Sequence, residues 1–305
     1  MRLRARVELG EGGAHFDLAG SDPQRRAPVN STFAQTFSGC AYALKALIDP
    51  DVPVNAGFYE AVRVVAPSGT VVNCTPPAPV VGGWETQTRL VDVIFRALLP
   101  ALPERLPAGT KAMMCHAGFG GVDPQSGEYY CFLETFGGGY GGRAGSDGPD
   151  AVQTHGQNTE NAPVEETELN YPVRVTQLSL VDDSDGPGRF RGGLGLRKDF
   201  LFDRATTFTV LADRTVRGPW GVFGGHDGKT AAYVLIRDGV ESALAAKGTI
   251  EVQAGDVVSY RTCGGGGYGP PEERDRDAVA RDVREGKVSP ARAKEVYGWT
   301  PSASR

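Results

Sequence analysis

The chain has 305 residues, 40% hydrophobic and 23% charged, the proportions of a globular protein long enough to bury a substantial core without staples. Its net charge of −5, with no lysine- or arginine-rich run, excludes a general nucleic-acid or anionic-membrane binder. No apolar run approaches a membrane span, MRLRARVELG carries no signal-peptide core, and five scattered cysteines without a CxxC pair point to reduced thiols in the cytoplasm.

Leu3, Ala5, Val7 and Leu9 alternate with charged residues, which predicts a half-buried strand at the very start, and HFDLAG (15–20) predicts a second. SDPQRRAPVN (21–30) is a loop of turn formers. Phe37, Cys40, Ala41, Leu44, Leu47 and Ile48 recur at helical spacing and predict an amphipathic helix stopped by Asp49-Pro50. VRVVAP (62–67) and TVVN (70–73) predict a hairpin about Ser68-Gly69. Pro76, Pro77 and Pro79 make the next connection extended and stiff. A second helix is expected near Trp84–Leu99, ended by Pro100. KAMMCHA (111–117) and YYCFLET (129–135) are strand candidates. After Tyr171 short β runs (VRVTQLSLV, FTVLADR, AAYVLIRDG, DVVSYRT) are punctuated by Asp-Gly and Gly-Asp turns, the pattern of a sandwich or barrel. In the tail, Asp275 and Ser289-Pro290 cap two short helices that Gly286 and Gly298 close.

Between these parts lies Glu134–Glu168, with five glycines among residues 137–142 and no helical or strand periodicity. So long an irregular stretch is either disordered or functional. Its glycines would let the backbone approach a ligand or another chain closely. GGGYGG follows a strand, but the turn-forming Arg143–Asp150 replaces the helix that a phosphate cradle needs, and the Gly-Lys at 228–229 lacks the spaced first glycine of a P-loop. No nucleotide site is therefore expected in this chain.

Of four histidines, none is at metal-ligand spacing from another, and His155, in the polar loop, is the functional candidate. His116 and His226 suit structural roles. Glu134 and Glu165 join His155 as candidate acid–base groups, against the simpler reading that such acids face water or a partner. Asn30, Gly138, Gly139, Asp147, Asn158, Glu168 and Arg191 are candidates for a substrate or subunit surface. DSDGPGRFRGG (183–193) lacks the acceptor positions of a calcium loop. Cys40 and Cys131 sit in apolar patterns and predict core packing rather than nucleophilic catalysis, and there is no G-x-S-x-G elbow.

Seven segments, 17–30, 53–73, 77–94, 136–152, 161–175, 183–200 and 263–298, together resemble the hydantoinase B family in family order. That family embraces N-methylhydantoinase B subunits, the C-terminal part of 5-oxoprolinases, and acetone and acetophenone carboxylase subunits. The resemblance covers only the C-terminal half of such a polypeptide. The family's Asn-Asp-Pro-Tyr and Gly-Gly-Thr-His-x-x-Asp strings, the latter a metal site in some members, are absent here.

The resemblance implies a heteromeric, ATP-dependent enzyme that opens cyclic amides by hydrolysis or carboxylates ketones. ATP with Mg would sit on a hydantoinase A-type ATPase partner, a divalent metal would sit in the missing N-terminal half on another chain, and this chain would hold no cofactor or metal and be inactive alone. A non-catalytic assembly role is the alternative; a stand-alone hydrolase is a weaker third. The expected fold is α+β. Residues 1–170 form a mixed sheet with helices and the Gly-rich loop, 171–262 a β-rich sandwich or barrel-like module, and 263–305 a Gly-rich linker with two short helices.

Overall fold

A computed structural model describes residues 1–48, 51–124 and 126–301. The chain is α+β and divides into two compact units. The first comprises 1–106, 112–114 and 154–157; the second comprises 107–111, 115–153 and 158 onward.

In the first unit, β1 (Arg6–Gly10) and β2 (Gly13–Asp17) form an antiparallel hairpin, and β3 (Val62–Val65) joins β2 in parallel. Helix α1 (Phe33–Ile48) packs against α3 (Gly83–Leu98), and a short α2 (Ala56–Glu60) is capped by the Asn55 side chain. Cys40, Ala41, Leu44 and Leu47 of the expected α1 stripe are buried, as are Leu90, Val91, Ile94 and Phe95 of α3. The stop at Asp49-Pro50 lies outside the described residues.

The hairpin expected over 62–73 does not form. Val62–Val65 pairs with β2, while Thr70–Asn73 makes a tight turn whose Val71 and Val72 are buried. An apolar pair on a turn is indistinguishable from strand alternation in so short a run.

The second unit holds two sheets. One has the order β10-β9-β12-β7-β6, from β6 (Val173–Val181), β7 (Gly195–Phe202), β9 (Ala232–Arg237), β10 (Val240–Ala243) and β12 (Val257–Arg261). The other has the order β11-β8-β4-β5, from β4 (His116–Val122), β5 (Tyr129–Thr135), β8 (Thr206–Leu211) and β11 (Lys247–Val252). Phe119, Phe132 and Phe208 of the four-stranded sheet meet Phe200 and Phe202 of β7 at ring-centroid separations of 5.5–6.2 Å, so an aromatic layer glues sheet to sheet.

The expected strand at 111–117 begins only at His116, because Ala112 and Cys115 have φ of 41° and 62°, which no strand tolerates. The strand expected over 129–135 forms as β5, but the segment read as irregular beyond it carries a helix, α4 (Val164–Asn170), in which Thr167 alone is buried. With one buried residue there was no apolar stripe to reveal it. Cys131 is exposed, contrary to the expected core packing, whereas Cys40 is buried and its thiol is pushed up to about 12.

The tail helices α5 (Arg276–Arg284) and α6 (Pro290–Tyr297) are capped as the sequence indicates. Asp275 accepts from the Ala278 amide at 2.9 Å and Ser289 from the Arg292 amide at 3.2 Å. Val279, Val288, Ala293 and Tyr297 form their common core.

Candidate functional site

The glycine runs meet one another. Gly139 donates to the Cys263 carbonyl at 2.9 Å, Gly265 to Gly193 at 2.8 Å, Gly193 to Tyr140 at 2.8 Å and Gly142 to Gly266 at 2.9 Å. A Cβ on Gly139 would lie 2.1 Å from the Gly193 carbonyl oxygen, and one on Gly265 would lie 1.9 Å from that of Tyr140. Only residues without side chains allow segments 137–142, 186–195 and 263–267 to lie backbone on backbone. The close approach inferred for Gly138 and Gly139 is therefore to this chain's own backbone. Amides engaged in this way do not fit a phosphate cradle.

A buried ionic web clamps this glycine core to the tail. Arg191, 3% exposed, donates to Asp150 at 2.9 Å and to Asp282 of α5 at 3.2 Å. Arg274 holds Asp147 at 2.7 and 2.8 Å and Asp282 at 2.7 Å. Burial alone would raise the Asp147 and Asp150 carboxyls, but the guanidinium bonds from Arg274 and Arg191 hold both below the usual carboxylate range. Asp185 behaves oppositely, since complete burial lifts it despite the charge of Arg292.

Glu134, near the end of β5, is 5% exposed. Its two oxygens receive Lys198 Nζ at 3.1 and 2.8 Å, and Oε1 also receives Asn161 Nδ2 at 2.8 Å and the Ala162 amide at 2.9 Å. Lys198, fully buried on β7, lies 5.3 Å from the centroid of the Phe200 ring. Nearby, the equally buried Lys111 donates to Gln153 Oε1 at 2.6 Å and to the Phe136 carbonyl. His116, at the start of β4, has its pKa lowered, by burial first and then by the charge of Lys111. A carboxylate so fully engaged is better suited to hold the 161–162 backbone in place than to take a proton from a substrate.

From that anchor the segment runs outward. Asn158 and Glu165 are exposed, and Glu168, also exposed, accepts from the Val175 amide at 2.8 Å. The segment thus forms a polar strap tied at Asn161–Ala162 and again at Glu168.

His155 lies in the first unit, in a left-handed conformation with φ 46° and 4% exposed. Phe95 stands edge-on to its ring at 5.1 Å and Tyr42 at 6.1 Å, and its Nε2 is 3.7 Å from Asp92 Oδ1. Asp92, Thr88 and Glu85 form a buried polar line on α3, and Asp92 is placed to orient the imidazole. Asn30, fully buried, is structural in its contacts: it bonds the backbone of Arg25, Ala27 and Pro79. Among the described residues no group of three or more His, Cys, Asp or Glu could hold a metal ion, and no helix is long and apolar enough to cross a membrane.

Residues 1–271 match the family model for hydantoinase B/oxoprolinase. The chain belongs to this family. A putative D-/L-hydantoinase B-type polypeptide from a Pseudomonas species is 32% identical over 311 residues, covering 98% of this chain and 52% of that one. The crystal structure of an ATP-dependent caprolactamase from Pseudomonas jessenii superposes with a TM-score of 0.87 at 29% identity, over 99% of this chain and 54% of that one. A nucleotide-free acetone carboxylase shares the fold, with a TM-score of 0.85 at 19% identity over 97% of this chain and 45% of that one. This hydantoinase B chain spans about half the length of these relatives.

Within this hydantoinase B fold, sequence reasoning missed Lys198, Lys111 and Asp92. A lysine inside a strand run and an aspartate inside an amphipathic helix both look solvated until their partners, far away in the chain, are known.

Proposed function

We propose that this chain supplies the C-terminal half of a hydantoinase B polypeptide in an ATP-dependent, cytoplasmic complex that opens cyclic amides by hydrolysis. The observation that carries the reading is the family match across residues 1–271. ATP with Mg is assigned to a hydantoinase A-type ATPase partner, in keeping with glycine runs already filled by their own backbone. A divalent metal is assigned to the polypeptide that supplies the N-terminal half. On this chain, Glu134 with Lys198 fixes the strap 158–168, whose Asn158, Glu165 and Glu168 face another subunit, and His155 with Asp92 orients a polar group at a site completed by other chains. Bound to that partner, ATP would supply the driving force for ring opening, and the residues here would position and enclose.

A second reading, a purely structural assembly role, is favoured by one observation: both Glu134 oxygens are already occupied. Co-expression with an A-type ATPase and an N-terminal B-type polypeptide tests the proposal. The three chains are expected to co-purify and to hydrolyse a hydantoin or lactam only together. A complex whose turnover is the same with and without this chain, or lactam hydrolysis by the chain alone, would refute it.

A further inference from the structure

On the outer face of the five-stranded sheet, Ser179 of β6, Arg197 of β7, Arg261 of β12 and Ala232 of β9 are register partners in one row across four strands. Two arginines directly opposite on neighbouring antiparallel strands repel one another. Small residues on either side leave open space above them. That space is a cleft of about 450 Å³, lined also by Leu180, Asp182, Lys229, Thr230 and Thr262.

Each arginine is half engaged by protein. Asp199 takes Nε and Nη2 of Arg197 at 2.6–3.1 Å, while Glu241 takes Nη2 of Arg261 at 3.0 Å and Ser259 its Nε at 2.9 Å. Among the described residues neither Nη1 has a partner, and the exposed Lys229 ammonium has none either. The lining thus holds three cations and one carboxylate, Asp182, while Asp199 and Glu241 pair with Arg197 and Arg261 and orient each guanidinium, leaving the Nη1 of each for a ligand.

We propose that this cleft is a binding site for a small oxyanion, held by the Arg197–Arg261 pair with Lys229 as a third cation. Anchored guanidiniums suit oxyanions because their donors are planar, pre-oriented and weakly hydrated. At about 450 Å³ the cleft has room for a small metabolite of which the oxyanion is the headgroup. Phosphate and carboxylate share the chemistry, and the site stands whichever complex the chain joins.

The test is calorimetric titration of the full chain at low salt with inorganic phosphate and, separately, with L-glutamate. Saturable binding of at least one is expected below about 20 mM, and whichever binds identifies the headgroup. Arg261→Gln should weaken it about tenfold, the loss of one charge-assisted bond. The exposed Lys229→Ala, which threatens no packing, should weaken it about threefold. Arg174→Gln, elsewhere on β6, should leave it unchanged. No saturable binding of either anion, or equal binding by wild type, Arg261→Gln and Lys229→Ala, overturns the proposal.

Discussion

Replacing Lys198 by Met tests whether Glu134 is a buttress. The substitution preserves much of the side-chain volume against Phe136 and Phe200 but leaves a carboxylate that is 5% exposed without its cation. Removing one partner of a buried pair costs about 3–5 kcal/mol, because the remaining charge has lost its compensation. At roughly 2–4 °C per kcal/mol for a unit of this size, the expected fall in Tm is on the order of 10 °C. Glu134→Gln in the same chain removes the stranded charge yet keeps an oxygen for the Ala162 amide. The double variant should therefore recover most of the loss, a coupling visible in a double-mutant cycle. Thermal unfolding followed by circular dichroism reads both. A single variant within about 1 kcal/mol of wild type, or a double variant as unstable as the single, would show that the pair does not carry the strap.

The glycine core gives a contrast between Gly265→Ala, whose Cβ would lie 1.9 Å from a backbone oxygen and should prevent soluble folding, and Gly248→Ala, which meets nothing within 4 Å and should be neutral in expression and Tm. The acid limb follows from Asp147. Its folded pKa lies below 3.8, so its contribution is present above the unfolded value and is lost as pH falls through the folded one. Arg274→Met should abolish that contribution, making stability in urea at pH 7 fall markedly while the difference from wild type shrinks below pH 3.8; the opposing shift of Asp185 is common to both proteins only if its own surroundings hold, which Asp185→Asn in each background checks. For the assembled complex, Glu165→Ala removes an exposed side chain and should leave Tm unchanged, so a drop in turnover with an intact complex indicates a site role, and unchanged turnover favours the assembly reading.

Elements with a local signature were legible in the sequence: α1 and α3 from their apolar stripes, β5 and β6 residue for residue from runs of β-branched, aromatic and leucine residues, and α5 and α6 from Asp275, Ser289-Pro290 and Gly298. Those without one were not. Strand β7 carries a buried lysine and aspartate beside its phenylalanines, and α4 buries a single threonine. At the candidate site, Glu134 and His155 could be singled out as polar residues in unusual surroundings. Their partners Lys198 and Asp92 could not, because pairing across the chain is a property of topology rather than of local pattern.

The glycines show the same limit most sharply. A run such as 137–142 has the same composition whether its bare backbone receives a phosphate, a partner or another glycine run, so local sequence cannot choose among them. What chooses is stoichiometry within the chain. Three glycine-dense segments, 137–142, 186–195 and 264–267, each have unmet amides and few side chains, and each satisfies the others by hydrogen bonds of 2.7–2.9 Å. Once they are matched, little glycine surface remains for a ligand, and the charged groups around them, Arg191, Arg274, Asp147, Asp150 and Asp282, serve to clamp the stack. Chemistry in this chain is therefore to be sought at side chains held by the stack's periphery, at the strap tied by Glu134 and in the arginine-floored cleft, rather than at the glycines themselves.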